Sequence, residues 1–257
     1  MKRNYSHPAR AGLTRIEVVV LIIVVSMMLA MLFPFIMTMR GHPGHSPDIQ
    51  CMNNMKQLSL AMHSAMASSQ GKFPPAQNIN QEGQIQFGWR IALLPYMEQQ
   101  GLYEHIMSHL PWDNKENRQF ENMRISTLVC PGFQDLQPGQ TSYQVIVGPN
   151  TPFEGDRCST HDDFKRGLGH TILIAETSQG VKWMEPIDLP YQNLDYGIVP
   201  LSSKYWSVGS GHRRHDRGAH VAMADGSVRT LVFSQKTNDV ANLQRMTWLK
   251  EPTQDHR

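Results

Sequence analysis

Apolar and polar positions divide the chain into two regimes. From Val18 to Phe33 the sequence reads VVVLIIVVSMMLAMLF without a charge, and Pro34-Phe35-Ile36-Met37 prolongs the run to about twenty residues, enough as a helix to cross roughly 30 Å of hydrocarbon. Its β-branched residues would suit a buried strand, but such strands seldom exceed about eight residues, so length argues for a helix. Pro34 is expected to bend that helix without ending it, because lipid-embedded helices tolerate proline. Residues 40–47, RGHPGHSP, cannot continue a helix comfortably and read as a linker. Ile49, Met52, Met55, Leu58, Met62, Ala65 and Met66 then recur every three or four residues, a core-facing stripe. Ser46 as N-cap and Pro47 at the first helical position predict its start, and Gly71 its end.

Farther along, 90–107 and 115–124 read as helical pieces interrupted by Pro95, Gly101 and Pro111. Residues 127–130, 143–147 and 171–177 are β-rich apolar runs bounded by Pro, Gly and Asn, as expected for a sheet that a long helix covers. Residues 220–224 and 227–232 flank Asp225-Gly226, a dipeptide suited to the positive φ angles of a tight hairpin. A last short helix is expected over 238–249. The pattern predicts an α+β protein in which a long N-terminal transmembrane helix, broken near 40–47 or continuous, is packed on or tethered to a mainly antiparallel β-sheet domain with added short helices.

Composition changes this picture little. The chain has 257 residues, 40% hydrophobic and 18% charged, enough to bury a core beside an anchor. Its formal charge of +2 comes from the leader, where Lys2, Arg3 and Arg10 stand with no acid among them. Without them the balance turns slightly negative, so no nucleic-acid partner is expected. Three cysteines, Cys51, Cys130 and Cys158, are too few for a disulfide scaffold and lack zinc-site spacing. In an oxidising compartment Cys51 with Cys130 is the preferred pair, the alternative being three free thiols.

Lys2, Arg3, Arg10 and Arg15 precede the apolar run and only Arg40 follows it closely, which places the N-terminus in the cytoplasm and the rest outside. A cleaved secretory signal peptide is the alternative, but the run is long and no clear small-x-small site follows. Glu17 is the anomaly, since a carboxylate at the edge of a span is costly and usually has a partner or a function. Ala11-Gly12-Leu13-Thr14-Arg15-Ile16-Glu17 before the apolar run resembles the type IV prepilin leader, Gly-Phe-Thr-Leu-Xaa-Glu. The resemblance implies that prepilin peptidase cleaves between Gly12 and Leu13, that the new N-terminus is methylated, and that Glu17 pairs with a neighbouring subunit's terminal amine during assembly. Leu13 replaces the usual phenylalanine, and Arg15 stands where an apolar residue is expected, so it would have to snorkel toward the headgroups. If Glu17 has no such role, it forms with Arg15 a solvated border to a simple anchor.

Further blocks resemble a large bacterial family of pilin-like proteins of unknown function whose domain ends in His, nine residues, then Asp-Gly, here His215, Asp225 and Gly226. The matching blocks are Cys51-Met52-Asn53-Asn54-Met55-Lys56-Gln57-Leu58, Phe73-Pro74-Pro75, Trp89 with Leu93-Leu94-Pro95-Tyr96-Met97-Glu98-Gln99, Val129-Cys130-Pro131, Thr141-Ser142-Tyr143, and Thr171-Ile172-Leu173-Ile174-Ala175-Glu176. The linker departs from relatives whose helix runs straight through. The implied organisation is a leader at 1–12, a transmembrane helix at 13–39, the linker at 40–47 and an exported pilin-like domain at 48–257. The implied protein is a pseudopilin-like subunit of the bacterial inner membrane, of a type II secretion or type IV pilus-like system, with pilin-like subunits as partners. The alternative is a membrane-tethered binding protein that does not polymerise.

Candidate chemistry is sparse. His212, His215, His220 and Asp225 have metal-ligand residue types, but a structural role for His215, Asp225 and Gly226 in the hairpin is the stronger reading. His161-Asp162-Asp163 and Asp113-Asn114 with Glu116 offer oxygen ligands without the alternation of a calcium loop. Trp89, Trp183, Trp206 and Trp248 could form a glycan or partner surface, although scattered tryptophans belong more often to cores. No nucleophile elbow, phosphate loop or His-Glu-Xaa-Xaa-His pair occurs, so no enzyme, metal or cofactor is expected.

Overall fold

The structure is a computed structural model that describes residues 14–39, 47–106, 109–133, 136–194, 219–231, 242 and 244–250. It divides into two units, residues 1–45 and 46–257. The first contains α1, Arg15–Met39, 25 residues of helix that continue through Pro34. Among the described residues, which for the side chains of α1 end at Met31, no helix is long and apolar enough to cross a membrane. The expected linker lies outside the described residues except for Pro47, as does the Ser46 cap.

The second unit is α+β. Its helix α2, Pro47–Ser68, buries Cys51, Met55, Leu58, Ala61, Met62 and Ala65, whereas Ile49 is exposed. The buried stripe thus starts at Cys51 and not at Ile49, because the crosslink at Cys51 fixes which face meets the sheet. At the C-terminus Gln70 takes a left-handed φ of 55°, and the Gly71 N–H donates to the Met66 carbonyl at 3.0 Å. That bond satisfies a carbonyl that the helix end would otherwise leave open.

Two short strands, β1 (Gln77–Ile79) and β2 (Ile85–Gly88), form an antiparallel pair. The expected helix over 90–107 is three pieces: α3 (Trp89–Ala92), a 3-10 turn (Leu94–Met97) and α4 (Gln100–His105). Pro95 sits inside the 3-10 turn and Glu98 adopts φ 60°, so the chain changes direction there. Gly101 interrupts nothing and lies within α4. The second piece shrinks to α5, Lys115–Arg118, capped by the Asn114 side chain accepting from the Glu116 N–H.

The main sheet comprises β3 (Gln140–Val147), β4 (Ile172–Lys182), β5 (Leu189–Pro190), β6 (Ala219–Met223) and β7 (Val228–Leu231), in the order β5-β3-β4-β6-β7. All pairings are antiparallel except β3 with β5. β4 outruns its expected end because its register slips against β3 between Thr141 and Tyr143. The Thr177 hydroxyl donates to the Ser142 carbonyl at 3.0 Å there and accepts from the Gln144 amide at 2.6 Å, side chains standing in for lost ladder bonds. A core containing Met55, Leu58, Met62, Tyr143, Leu173 and Ile174 joins α2 to the sheet.

The expected strand at 127–130 is instead a 3-10 turn, Ser126–Leu128. Among the described residues it pairs with no strand; the Asn54 side-chain amide of α2 donates to the carbonyls of Ser126 and Val129 at 3.2 and 2.9 Å. The β6–β7 hairpin forms as expected, but with a different turn. The Gly226 N–H donates to the Met223 carbonyl and the Met223 N–H to the Ser227 carbonyl, and only Gly226 has positive φ, 87°. This is a three-residue loop closed by a glycine bulge and not a two-residue turn. Of the helix expected over 238–249, the described residues are helical at 242, 244 and 245 and leave the helix from 246 onward, where the Met246 N–H donates to the Asn242 carbonyl.

Candidate functional site

At the N-terminus, Glu17 lies in the first turn of α1. Its carboxylate accepts from the Thr14 N–H at 2.8 Å, and the Thr14 hydroxyl accepts from the Glu17 N–H at 3.4 Å. Thr14-Arg15-Ile16-Glu17 is therefore a reciprocal capping box, a motif legible in the sequence and overlooked beside the leader resemblance. Gly12 and Leu13 lie outside the described residues. From Ile16 onward the described apolar side chains of α1 are exposed, from 40% at Val18 to 84% at Met31.

In the second unit Cys51 and Cys130 form a disulfide between α2 and the segment after the 3-10 turn, with both residues fully buried. Cys158 is free and exposed. Glu176 of β4, 2% exposed, comes next to the bond: its carboxylate and the two sulfurs all lie within 4.8 Å of one another. Tyr143 is the register partner of Glu176, which puts both side chains on the sheet face toward α2. The Tyr143 hydroxyl donates to the Cys51 carbonyl at 3.4 Å. Burial, and then the Glu176 charge, push the Tyr143 phenol well above its ordinary value, so it stays a neutral donor. Glu176 accepts from the His220 N–H at 3.3 Å. Cys51, Cys130, Tyr143 and Glu176 stand far apart in the chain, save for Cys130 and Tyr143, and only sheet register and helix face bring them together.

Of the four residues His212, His215, His220 and Asp225, the structure describes two. His212 and His215 lie outside the described residues. His220 on β6 is buried: its Nε2 is 3.0 Å from the Asp48 carboxylate at the start of α2 and its Nδ1 3.0 Å from the Thr230 hydroxyl. The tautomer protonated at Nε2 satisfies both contacts, so His220 ties the hairpin to α2. Asp225 accepts from the N–H and the hydroxyl of Ser227 at 2.9 and 2.6 Å. Those bonds hold its carboxyl below the usual value. Beside the turn, His63 of α2 packs edge-on to Phe73 at 5.5 Å. A Cβ at Gly226 would meet its Nε2 at an ordinary 3.5 Å, so it is the positive φ of the turn that calls for glycine.

The oxygen-ligand candidates act as local caps. Asp163 accepts from the Thr160 N–H at 2.8 Å and pairs with Arg157 at 2.5 Å, while the Asp113 carbonyl accepts from Arg118 at 2.7 Å. Trp89 and Trp183 are core residues, which removes them from any exposed aromatic surface. Sequence reading also missed Arg90 and Asp188, a buried ion pair behind β3; neither residue stands in a pattern that announces a partner about a hundred positions away.

No curated protein and no solved structure matches the chain significantly. Residues 48–157, from the first turn of α2 through the loop beyond β3, match the model of a family described as protein of unknown function (DUF1559).

Proposed function

We propose that the chain is a single-pass, pseudopilin-like structural subunit of the bacterial inner membrane, N-terminus in the cytoplasm and the α+β domain outside. The observation that carries this reading is α1: 25 residues whose only charges are Arg15 and Glu17, at its first turn, with exposed apolar side chains all along its described length. A helix of that length extends about 37 Å, more than the roughly 30 Å of hydrocarbon, and apolar surface of this extent calls for a non-aqueous partner. The family match at 48–157 spans the blocks from Cys51 to Tyr143 that carry part of the pilin-like resemblance.

In this reading prepilin peptidase cuts after Gly12, α1 packs in the lipid phase, and Glu17 sets the register with a neighbouring subunit's amine. The carboxylate is already oriented by Thr14, so capping its own helix competes with pairing outside it. In-membrane crosslinking, with the N-terminus of the membrane-bound protein sequenced, tests the proposal. Expected are an N-methylated Leu13 and crosslinked oligomers that vanish in Glu17→Ala while membrane insertion persists. Native protein recovered in a soluble fraction without 13–39 would refute it.

One feature of the sequence favours the second reading, a membrane-tethered binding protein that does not polymerise: residues 40–47, RGHPGHSP, are ill suited to a continuous helical stalk. Crosslinks unchanged by Glu17→Ala, or absent from the wild type, would decide for it.

A further inference from the structure

We propose that the reduced form of the exported domain binds one zinc ion at Cys51, Cys130 and Glu176, and that forming the disulfide releases it. Among the described residues this is the one group of three potential metal ligands that converge: both sulfurs and a carboxylate oxygen lie within 4.8 Å of one another, all buried. Two thiolates and a carboxylate are a donor set that suits zinc, with the fourth tetrahedral position left to water.

The S–S bond is not the only tie that assembles the site. Cys51 is carried by α2, and the chain leading to Cys130 is pinned to that helix by the Asn54 amide on the Ser126 and Val129 carbonyls. Glu176 sits on the central strand β4 in register with Tyr143, whose hydroxyl holds the Cys51 carbonyl. With the crosslink broken, these bonds still tie the two cysteine-bearing segments together with the carboxylate beside them. Zinc would hold both cysteines as thiolates. The disulfide and the ion exclude each other because each uses the same sulfur electron pairs.

The exchange balances. The zinc-bound dithiolate gives up two electrons as the Cys51–Cys130 bond forms. An oxidising protein disulfide accepts them, takes two protons from solvent and leaves as a dithiol. Zinc departs as the hydrated ion with its oxidation state unchanged.

The test uses the untagged full-length chain in detergent with Cys158→Ser, so that only this pair can respond. Oxidised and reduced samples receive one equivalent of zinc, pass through gel filtration and are assayed for bound metal, with cobalt as a spectroscopic substitute. Near-ultraviolet circular dichroism follows the fold. Expected are one zinc per reduced chain and none per oxidised chain, sulfur-to-cobalt charge-transfer absorption in the reduced sample alone, and at least tenfold weaker binding in Glu176→Gln. If reduction alone loosens the fold, zinc should restore the native spectrum. Equal zinc in both redox states, unchanged affinity in Glu176→Gln, or a loosened fold that zinc does not restore would each overturn the assignment.

Discussion

Oδ1 of Asp188 sits 2.6 Å from Nη2 of Arg90, with both side chains 1% exposed. The guanidinium also donates to the Tyr143 carbonyl at 3.1 and 3.2 Å and to the Ile187 carbonyl at 3.3 and 3.4 Å. The carboxylate accepts from the Trp89 indole at 3.1 Å and from the Val145 N–H at 3.0 Å. One buried pair thus ties α3, β3 and the segment entering β5. Removing one partner leaves a buried charge alone, so Arg90→Met or Asp188→Leu should each cost about 3–5 kcal/mol in denaturant unfolding. The double variant should recover part of that loss. Single variants as stable as the wild type would show that the pair is not an internal tie.

Residues Cys51 and Cys130 close a long loop, with a sequence separation of 79. Loop-closure entropy for that length corresponds to about 4.5 kcal/mol. Cys130→Ser should lower unfolding free energy by up to that amount. Peptide mapping without reductant should recover Cys51 and Cys130 as one linked fragment while Cys158 is alkylated. Quantitative alkylation of Cys51 under those conditions would contradict the bond.

Gly139 has φ 73°, and a Cβ there would lie 2.0 Å from the Glu121 carbonyl oxygen. Backbone conformation and backbone contact both forbid a side chain, while the Gly139 carbonyl accepts from the Trp183 N–H at the start of β3. Gly139→Ala should therefore cost more than about 2 kcal/mol, whereas Ala at Gly83, which also has positive φ but nothing within 4 Å, should cost less. Thermal unfolding of the two variants side by side checks this ordering.

The hairpin turn should respond to pH in two windows. Burial, and then the His161 charge, push His63 below its ordinary imidazole value, with Asp225 working against them. The folded state thus binds this proton less readily than the unfolded chain, and stability should decline as pH falls below about 6.5. His63→Leu should flatten that decline, and Asp225→Asn should move the His63 midpoint, read by NMR, still lower. Asp225 is itself depressed, first by the Ser227 hydroxyl. Its contribution is present above about pH 4 and is lost as pH falls through its folded value. A His63 midpoint unchanged in Asp225→Asn would show that the turn and α2 are not electrostatically linked.

Much of the scaffold was legible in the chain because its causes are local. The methionine-rich period announces α2, the β-branched runs announce β3 and β4, and Asp225-Gly226 marks the hairpin. Where a local signal met a stronger long-range one, the local reading failed. The segment 127–130 has strand composition, yet Asn54 and the crosslink hold it as a turn. The stripe on α2 begins at Cys51 because the disulfide and sheet choose the face, although Ile49 is the more apolar-looking start.

The order of apolar and charged residues by itself determined a long N-terminal helix with an acid in its first turn, a second helix and a β-rich remainder, since each depends on interactions within a few residues. Tertiary structure decided which residues meet. Glu176 lies beside Cys51 and Cys130, Arg90 faces Asp188, and His220 reaches back to Asp48. Such meetings follow from strand register and helix rotation, where displacement by one residue turns a side chain to the other face of a sheet or a quarter-turn around a helix.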